Sequence, residues 1–268
     1  GGPAARARGE LLLVARRDPR LGAALLRLAF HDAGPGGPNG SVRFELGRQE
    51  NVGPSLRAAL AAVGVVVERC GVGWADAIAI GGAAAVEAAG GPRVPVGLGR
   101  ADAAGPDPPG SLPGGGFTAD DTRVYFRARG FTDEETVALC GAHTLGRWTS
   151  FLGVSKECMG RSGGELWNCS REEGRRLPFT STPEAFDSGY FQAVSEAYRR
   201  RMAPATTTRW KDRGEDTLSK LYLLPSDNSL MMDEAFRCIV LRFAGDQDAF
   251  FATFARAYTK LVGQGHAA

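Results

Sequence analysis

Apolar residues recur at helical spacing along most of this 268-residue sequence, and this pattern restricts the fold more than any other feature. In each such segment they repeat at i, i+3 and i+4, which places them on one face of an α-helix. No run of alternating apolar and polar residues, the pattern of a half-buried strand, stands out. The sequence therefore predicts an all-α protein, with helices over Leu11–Ala15, Leu21–Asp32, Ala58–Arg69, Trp74–Ala89, Thr132–Ala142, Glu184–Arg201, Asp233–Phe243 and Asp246–Val262.

Local signals mark several ends of these helices. Thr118 and Thr132 each precede an acidic residue by three positions, which is the spacing of a capping box, so helices should begin at both threonines. Asp233 and Asp246 are predicted N-caps of the last two helices. Residues 92–116 are rich in Gly and Pro and lack helical spacing, which is typical of a connection between two lobes.

Composition excludes several classes of protein. Hydrophobic residues make up 43% of the chain and charged residues 23%, which is typical of a compact globular protein and not of a disordered or fibrous one. The formal net charge of +2 gives no reason to expect nucleic-acid binding. The longest apolar runs, Ala58–Val67 and Ala77–Val86, are about half as long as the ~20 residues of a membrane span, so no transmembrane segment is expected.

The cysteines and the first residues bear on the compartment. Five cysteines, an odd number with no CxxC, favour a reducing environment. Cys158 and Cys169 bracket an irregular Gly-rich segment, and a disulfide between them is left open. The chain begins with GGP and continues with the Arg-rich Ala4–Arg8, which looks like the end left by removal of a targeting peptide.

Two of the three histidines are candidates for chemistry, since His266 lies near the C-terminal end. Arg27 and His31 are four residues apart, so both side chains project from one helix face, either as a solvated edge or as a cation beside a near-neutral base. His143 follows an apolar helix, and small residues around it would let a flat, bulky group approach the backbone. Taken alone, a buried histidine bonded to a carbonyl group is the simpler interpretation of His143. A haem enzyme needs one histidine as axial ligand and a second histidine that does not bind the iron. A zinc site is not indicated, because these histidines lack the neighbours of such a site.

Five segments, in the same order, resemble those of plant-type haem peroxidases. LLRLAFHDA at residues 25–33 with GPNGSVRFE at 37–45 resembles the distal segment, and VALCGAHTLG at 137–146 resembles the proximal-histidine segment. GGPRVPVGLGR at 90–100, FDSGYF at 186–191 and LPSDNSL at 224–230 complete the set, and residues 246–262 are similar to the C-terminal helix of ascorbate peroxidases.

The resemblance covers nearly the whole chain and implies the all-α, two-lobed haem peroxidase fold of the intracellular class, with haem between the lobes. It implies a single domain over residues 1–268. The distal lobe would comprise about 1–116 plus 246–268 and the proximal lobe about 117–245, with insertions at 149–178 and 199–220.

Carried over residue by residue, the resemblance implies that His143 ligates the iron of haem b and that Asp227 accepts a hydrogen bond from its other ring nitrogen. His31 would move the peroxide proton, and Arg27 would stabilise the charge that develops as the O–O bond breaks. Asn51 would hold the tautomer of His31. The alternative for Asn51 is an ordinary polar residue at a helix start.

Four further residues match positions that in ascorbate peroxidases hold a monovalent cation, potassium in this interpretation. Their hard oxygen atoms suit such an ion, and simple helix capping is the alternative. They are Thr144, Thr180, Thr182 and Asp187.

Three positions depart from the intracellular class. Phe30 and Phe179 stand where that class has tryptophans, and both are expected to line the cofactor. Phenylalanine has no N–H and resists oxidation, so a protein radical at Phe179 is not expected. Leu152 stands where ascorbate peroxidases bind ascorbate through an arginine, and Arg147 or Arg161 are the candidates to replace it.

These residues predict a haem peroxidase that reduces hydrogen peroxide with a small reductant, ascorbate-like or phenolic. The alternatives are an accessory or structural subunit of a larger, organellar assembly, and a haem sensor or carrier that does not react with peroxide. The stretches 149–178 and 199–220 are either solvated loops or a docking surface for a protein partner, which would be acidic where it meets the basic second stretch. The compartment expected is the chloroplast, with the mitochondrion and the cytosol left open.

Overall fold

The computed structural model describes residues 2–34, 37–51, 53–109, 112–149, 176–202 and 221–265. The chain divides into two compact units. Unit 1 contains residues 1–112, 184–186 and 251–268, and unit 2 contains residues 113–183 and 187–250. The predicted assignment of these regions to two lobes of one peroxidase domain stays a prediction.

Three helices of unit 1 begin at proline. Pro3, Pro19 and Pro54 occupy the first turn of α1, α2 and α3, where a missing N–H costs nothing. The helices therefore start earlier than the apolar spacing alone predicted. The elements are α1 (Pro3–Arg17), α2 (Pro19–Asp32), the 3₁₀ helices Ser41–Phe44 and Gln49–Asn51, α3 (Pro54–Cys70), α4 (Trp74–Ala88) and most of α10 (Gln247–Val262).

The core of unit 1 lies around α2 and α4. These two helices pack against each other and against α1 and α3. Gly82 of α4 leaves no space for a side chain, because a Cβ there would lie 2.7 Å from Ala29 and would overlap the Tyr258 hydroxyl. That hydroxyl donates to the carbonyl oxygen of Ala79 over 3.0 Å, which anchors α10 on α4.

Unit 2 contains the shorter helices and one small ladder. Both predicted capping boxes are confirmed: Thr118 caps α5 and Thr132 caps α6, each in reciprocal bonds with its acidic partner. The elements are α5 (Ala119–Arg127), α6 (Asp133–Cys140), the 3₁₀ helix Gly141–Thr144, β1 (Arg147–Thr149), β2 (Arg176–Pro178), α7 (Gly189–Met202), α8 (Pro225–Ser229) and α9 (Glu234–Gly245). The predicted caps Asp233 and Asp246 are also confirmed, since each carboxylate accepts a backbone N–H of the helix that follows.

Two features of the chain differ from the sequence prediction. β1 and β2 pair antiparallel, with Trp148 opposite Leu177, and at three residues each they are too short to show alternation. The helix predicted from Glu184 begins only at Gly189. The N–H of Phe186 donates to the carbonyl of Ala89 over 2.8 Å, and the Asp187 carboxylate caps the N–H of Gly189, so the helix starts only after Asp187.

Among the described residues, no single helix has the length and apolar content to cross a membrane. When α3 and α4 are counted together, that length and that apolar content are reached, and the two helices are bent by 117° relative to each other. The cysteine pair Cys158 and Cys169, His266 and nearly all of the two predicted insertions lie outside the described residues.

Candidate functional site

Arg27, His31 and Asn51 form one hydrogen-bonded set in unit 1. Arg27 and His31 lie on the last turns of α2, and Nε of Arg27 donates to Nε2 of His31 over 3.2 Å. On the other side of the ring, Nδ1 of His31 lies 2.6 Å from Oδ1 of Asn51. The ring of Phe30 meets the His31 ring edge-on, with 6.2 Å between centroids. The structure therefore brings together the four residues that the sequence predicted for the distal side.

The hydrogen bonds determine the tautomer of His31. Nδ2 of Asn51 donates to the carbonyl of Glu45 over 3.2 Å, so the amide oxygen is the atom that faces His31. Since that oxygen only accepts, His31 carries its proton on Nδ1 and keeps a lone pair on Nε2. Burial, followed by the charge of Arg27, lowers the pKa of His31 to about 3. The set is a neutral base whose lone pair faces a guanidinium group.

The loop after α2 is held by carboxylates next to this set. Asp32 is 1% exposed and accepts the backbone N–H groups of Gly40 and Val42 at 2.8 and 3.2 Å. Burial raises the pKa of Asp32 to about 7. Oε1 of Glu45 accepts the N–H of Asp107 over 2.8 Å. These contacts fix the segment whose carbonyl group orients the asparagine.

In unit 2, α6 leads directly into the 3₁₀ helix that carries His143. Gly141, at the junction, has no room for a side chain, because a Cβ would lie 2.6 Å from Phe250 and 2.8 Å from Phe191. Phe191 and Phe250 themselves pack edge to face, with 4.9 Å between ring centroids. The turn before His143 therefore sits directly on an aromatic cluster, which sets where the histidine points.

His143 presents one occupied and one open ring nitrogen. Its Nδ1 donates over 2.8 Å to Oδ1 of Asp227, a carboxylate that is 2% exposed on α8. Nε2 makes no hydrogen bond within the described residues, and the side chain is 36% exposed. No group of three or more His, Cys, Asp or Glu side chains in the described ranges is placed to hold a metal ion. A single imidazole held in this way would suit haem, since the porphyrin would supply further nitrogen ligands to the iron.

Three more residues surround this pair. Phe179 stacks on His143, with ring centroids 4.8 Å apart and planes 7° from parallel. Tyr190, to which the sequence assigned no role, donates its hydroxyl to Oδ1 of Asp227 over 2.9 Å. The N–H of Leu224 donates to Oδ2 over 2.8 Å. The available signal was that Phe179 has no N–H to offer, so the buried carboxylate needs a donor from elsewhere.

The four predicted cation ligands lie in one cluster of unit 2. Asp187 accepts the hydroxyls of Thr144 and Thr182 at 2.9 and 3.0 Å. Thr180, fully buried, donates to the carbonyl of Thr144 over 3.2 Å. Asp187 also accepts the N–H of Gly189 at the start of α7, as the capping alternative requires. The structure brings these oxygen atoms together and is compatible with both interpretations.

The family model described as Peroxidase matches residues 7–246 of the chain. Because this match includes most of both units, the chain belongs to the peroxidase family, and the all-α fold predicted from the sequence is confirmed.

Within that family, several ascorbate peroxidases are similar to the chain. A protein of Arabidopsis thaliana provisionally named L-ascorbate peroxidase 6 is 36% identical over 252 residues, 91% of this chain and 64% of its own length. L-ascorbate peroxidase 2, cytosolic, of Oryza sativa subsp. japonica is 33% identical over 91% of this chain and 85% of its own length. A protein of the same plant provisionally named L-ascorbate peroxidase 5, chloroplastic, is 34% identical over 90% and 73%. The chain thus spans a little under two thirds of the Arabidopsis relative.

The remaining predicted site residues divide into two groups. Arg147 begins β1 and is described. Leu152 and Arg161, both relevant to the reductant, lie outside the described residues.

Proposed function

We propose that the chain is a haem-dependent peroxidase that reduces hydrogen peroxide with a small reductant. The observation that carries this proposal is the tautomer of His31. A neutral histidine, with its proton held on Nδ1 by Asn51 and its free lone pair beside Arg27, is the arrangement that peroxide activation requires. An accessory subunit or a haem carrier needs neither of these two contacts.

The cofactor proposed is haem b, with His143 as the protein ligand through its open Nε2. When bound, the haem supplies the redox-active iron that exchanges electrons with peroxide and reductant. Asp227 holds the imidazole in one orientation and increases its electron donation through the bond to Nδ1. Phe179 packs flat against the ring and keeps it from rotating, while Phe30 is proposed to line the cofactor beside His31.

His31 and Arg27 are the residues proposed to act on the peroxide. Nε2 of His31 takes a proton from the substrate oxygen, and because its pKa is lowered to about 3, it returns that proton readily to the departing oxygen. The guanidinium of Arg27, fixed by its bonds to His31 and to the carbonyl of Glu50, stabilises the negative charge on that oxygen. A single histidine thereby serves first as base and then as acid.

The reductant proposed is small and either ascorbate-like or phenolic. The relatives named as ascorbate peroxidases support the first choice. Leu152, in place of the family's ascorbate-binding arginine, leaves the second open. Rates of peroxide consumption measured side by side with ascorbate and with a simple phenol distinguish them.

We also propose that the cluster around Asp187 binds a monovalent cation, potassium. One carboxylate and the neighbouring threonine oxygens form a small, hard ligand set with a single negative charge, which matches a monovalent ion better than a divalent one. Thermal unfolding in potassium and in tetramethylammonium salts of equal ionic strength tests this, since only a bound potassium ion raises the unfolding temperature selectively.

Two earlier predictions stay predictions. A protein partner that docks on residues 149–178 or 199–220 would contact segments that lie mostly outside the described residues. The chloroplast is compatible with the relative named chloroplastic, as the cytosol is with the relative named cytosolic.

The experiment for the main proposal compares three proteins in one spectrometer: wild type, His143→Ala and His31→Ala. With haem added, wild type should show a Soret band that changes within milliseconds of adding one equivalent of peroxide. His143→Ala should lose the ligated spectrum. His31→Ala should keep that spectrum but respond to peroxide by a factor of ~10² or more slower. A wild-type haem spectrum indifferent to peroxide would establish the carrier instead, and a protein that binds no haem would establish the accessory subunit.

A further inference from the structure

The carboxylate of Asp227 is shared among three donors, all within unit 2. Oδ1 accepts both the Nδ1–H of His143 at 2.8 Å and the hydroxyl of Tyr190 at 2.9 Å. Oδ2 accepts the N–H of Leu224 at 2.8 Å. Asp227 is 2% exposed and Tyr190 fully buried, so water does not replace any of these donors. The charge of one buried carboxylate is therefore divided among three hydrogen bonds.

We propose that Tyr190 is a positioning residue for His143, which limits through Asp227 how much negative charge reaches the imidazole. This inference rests on the proposed role of His143 as the haem ligand. Two donors on one oxygen compete for its electron density, so each bond is weaker than it would be alone. The hydroxyl of Tyr190 thus makes His143 a weaker electron donor than a histidine–aspartate pair without a third partner.

The surroundings of Tyr190 hold its hydroxyl in this bond. The ring meets that of His143 edge to face, with centroids 5.8 Å apart, and packs against Phe191 at 5.1 Å. The Asp227 carboxylate can only accept, so the Tyr190 hydroxyl is the donor of this pair. Phe179, on the face of His143, has no donor to offer. Of the two aromatic neighbours of His143, Phe179 therefore supplies the stacking contact with the imidazole, and Tyr190 supplies the hydrogen bond to Asp227.

The test is Tyr190→Phe in the full-length, haem-loaded protein. Removing only the hydroxyl leaves Oδ1 of Asp227 to His143 alone, so the imidazole becomes a stronger donor to iron. We expect the ferric–ferrous midpoint potential to move to a more negative value. The iron–histidine stretching frequency of the ferrous protein, measured by resonance Raman spectroscopy, should rise. A variant that binds haem through His143 with both quantities unchanged overturns the proposal.

Two matched controls separate this effect from a loss of packing. Tyr258→Phe removes another buried tyrosine hydroxyl, one that bonds to the Ala79 carbonyl in unit 1, and should leave both iron quantities unchanged. Tyr222→Phe removes a phenol from the cluster that contains Phe179, and so measures the effect of lost packing close to the site. A potential that shifts equally in all three variants shows a general effect of packing and contradicts the specific role.

A double variant tests the route through the carboxylate. In an Asp227→Asn background, Tyr190→Phe should change the potential far less than it does in wild type, because the shared charge is already gone. An equal shift in both backgrounds shows that Tyr190 acts on the iron without Asp227, and overturns the proposal. Failure of the proposed function looks different, since His143→Ala would then bind haem with the wild-type spectrum.

Discussion

Replacing Arg27 by glutamine should raise the pKa of His31 and so move the acid limit of peroxide reactivity. The pKa of His31 falls from 6.5 to about 3, with burial the largest cause, Arg27 the second and the bond to Asn51 acting in the opposite direction. The lowering is about 3.5 pH units in total, and Arg27 supplies less than burial does. Its removal should therefore raise the pKa by roughly one to two pH units.

A Coulomb estimate sets the upper limit of this effect. Two unit charges about 4 Å apart at an effective dielectric constant of about 20 repel by ~4 kcal/mol, which corresponds to ~3 pH units. The contact from Nε to Nε2 is 3.2 Å, but the guanidinium charge extends over the more distant nitrogens, so the smaller figure is expected. The sign is fixed: a positive neighbour disfavours the protonated ring, and its loss makes protonation easier.

The assay is stopped-flow absorbance of the haem-loaded protein with peroxide between pH 4 and pH 7. Wild type should lose little rate over this range, since His31 stays neutral. Arg27→Gln should show an acid limit between about pH 4 and pH 5, in addition to a rate lowered at every pH. Arg27→Lys is the matched control, because it keeps the charge and so should keep the wild-type pH profile while it loses rate. The reasoning fails if Arg27→Gln shows no acid limit, or if Arg27→Lys shows the same one.

Three further changes test contacts described above. Gly141→Ala would place a Cβ 2.6 Å from Phe250, and we expect urea denaturation to show a loss of about 1–3 kcal/mol in unfolding free energy; wild-type stability would show that the turn has room to spare. Asn51→Ala leaves Nδ1 of His31 without its acceptor and should slow the spectral response to peroxide by roughly 10²-fold with haem retained; an unchanged rate would mean that the tautomer does not matter. Asp32 has its pKa raised by burial to about 7, so its charge costs stability as pH rises from 4 to 7. Relative to Asp32→Asn, wild type should lose up to about 4 kcal/mol over that interval, and parallel stability curves for the two proteins would contradict this.

Local chemistry explains which parts of the fold could be predicted. The capping boxes at Thr118 and Thr132 were correct because both partners of each box lie within three residues of each other. The start of α7 was predicted too early because Phe186 is tied to Ala89, almost a hundred positions away along the chain, and Asp187 then caps the helix. The ladder of β1 and β2 was missed for a similar reason, since its two strands are far apart in sequence and only three residues long.

In the candidate site too, contacts between residues close in sequence could be predicted, and contacts between distant residues were harder to predict. The pair Arg27 and His31 could be predicted because four residues along a helix place two side chains side by side, and the structure shows them bonded. Two of the three partners of Asp227 are distant in sequence, and Tyr190 stands 37 positions away on another helix. Spacing alone does not predict such a contact. The physical reason for the contact is that a buried carboxylate needs donors. Phe179, which stacks on His143, has none to give.

The last helix has a consequence for how the chain is made. α10 starts in unit 2, but from Phe251 onward it belongs to unit 1, where Tyr258 bonds to Ala79 and the Val262 carbonyl accepts Arg100. During synthesis, unit 1 therefore cannot finish folding until the ribosome has released its final turn of helix, although nearly all its other residues emerged first. Until then the apolar face of α4 around Gly82 is uncovered, and a chain interrupted before α10 is complete exposes a surface on which it can aggregate.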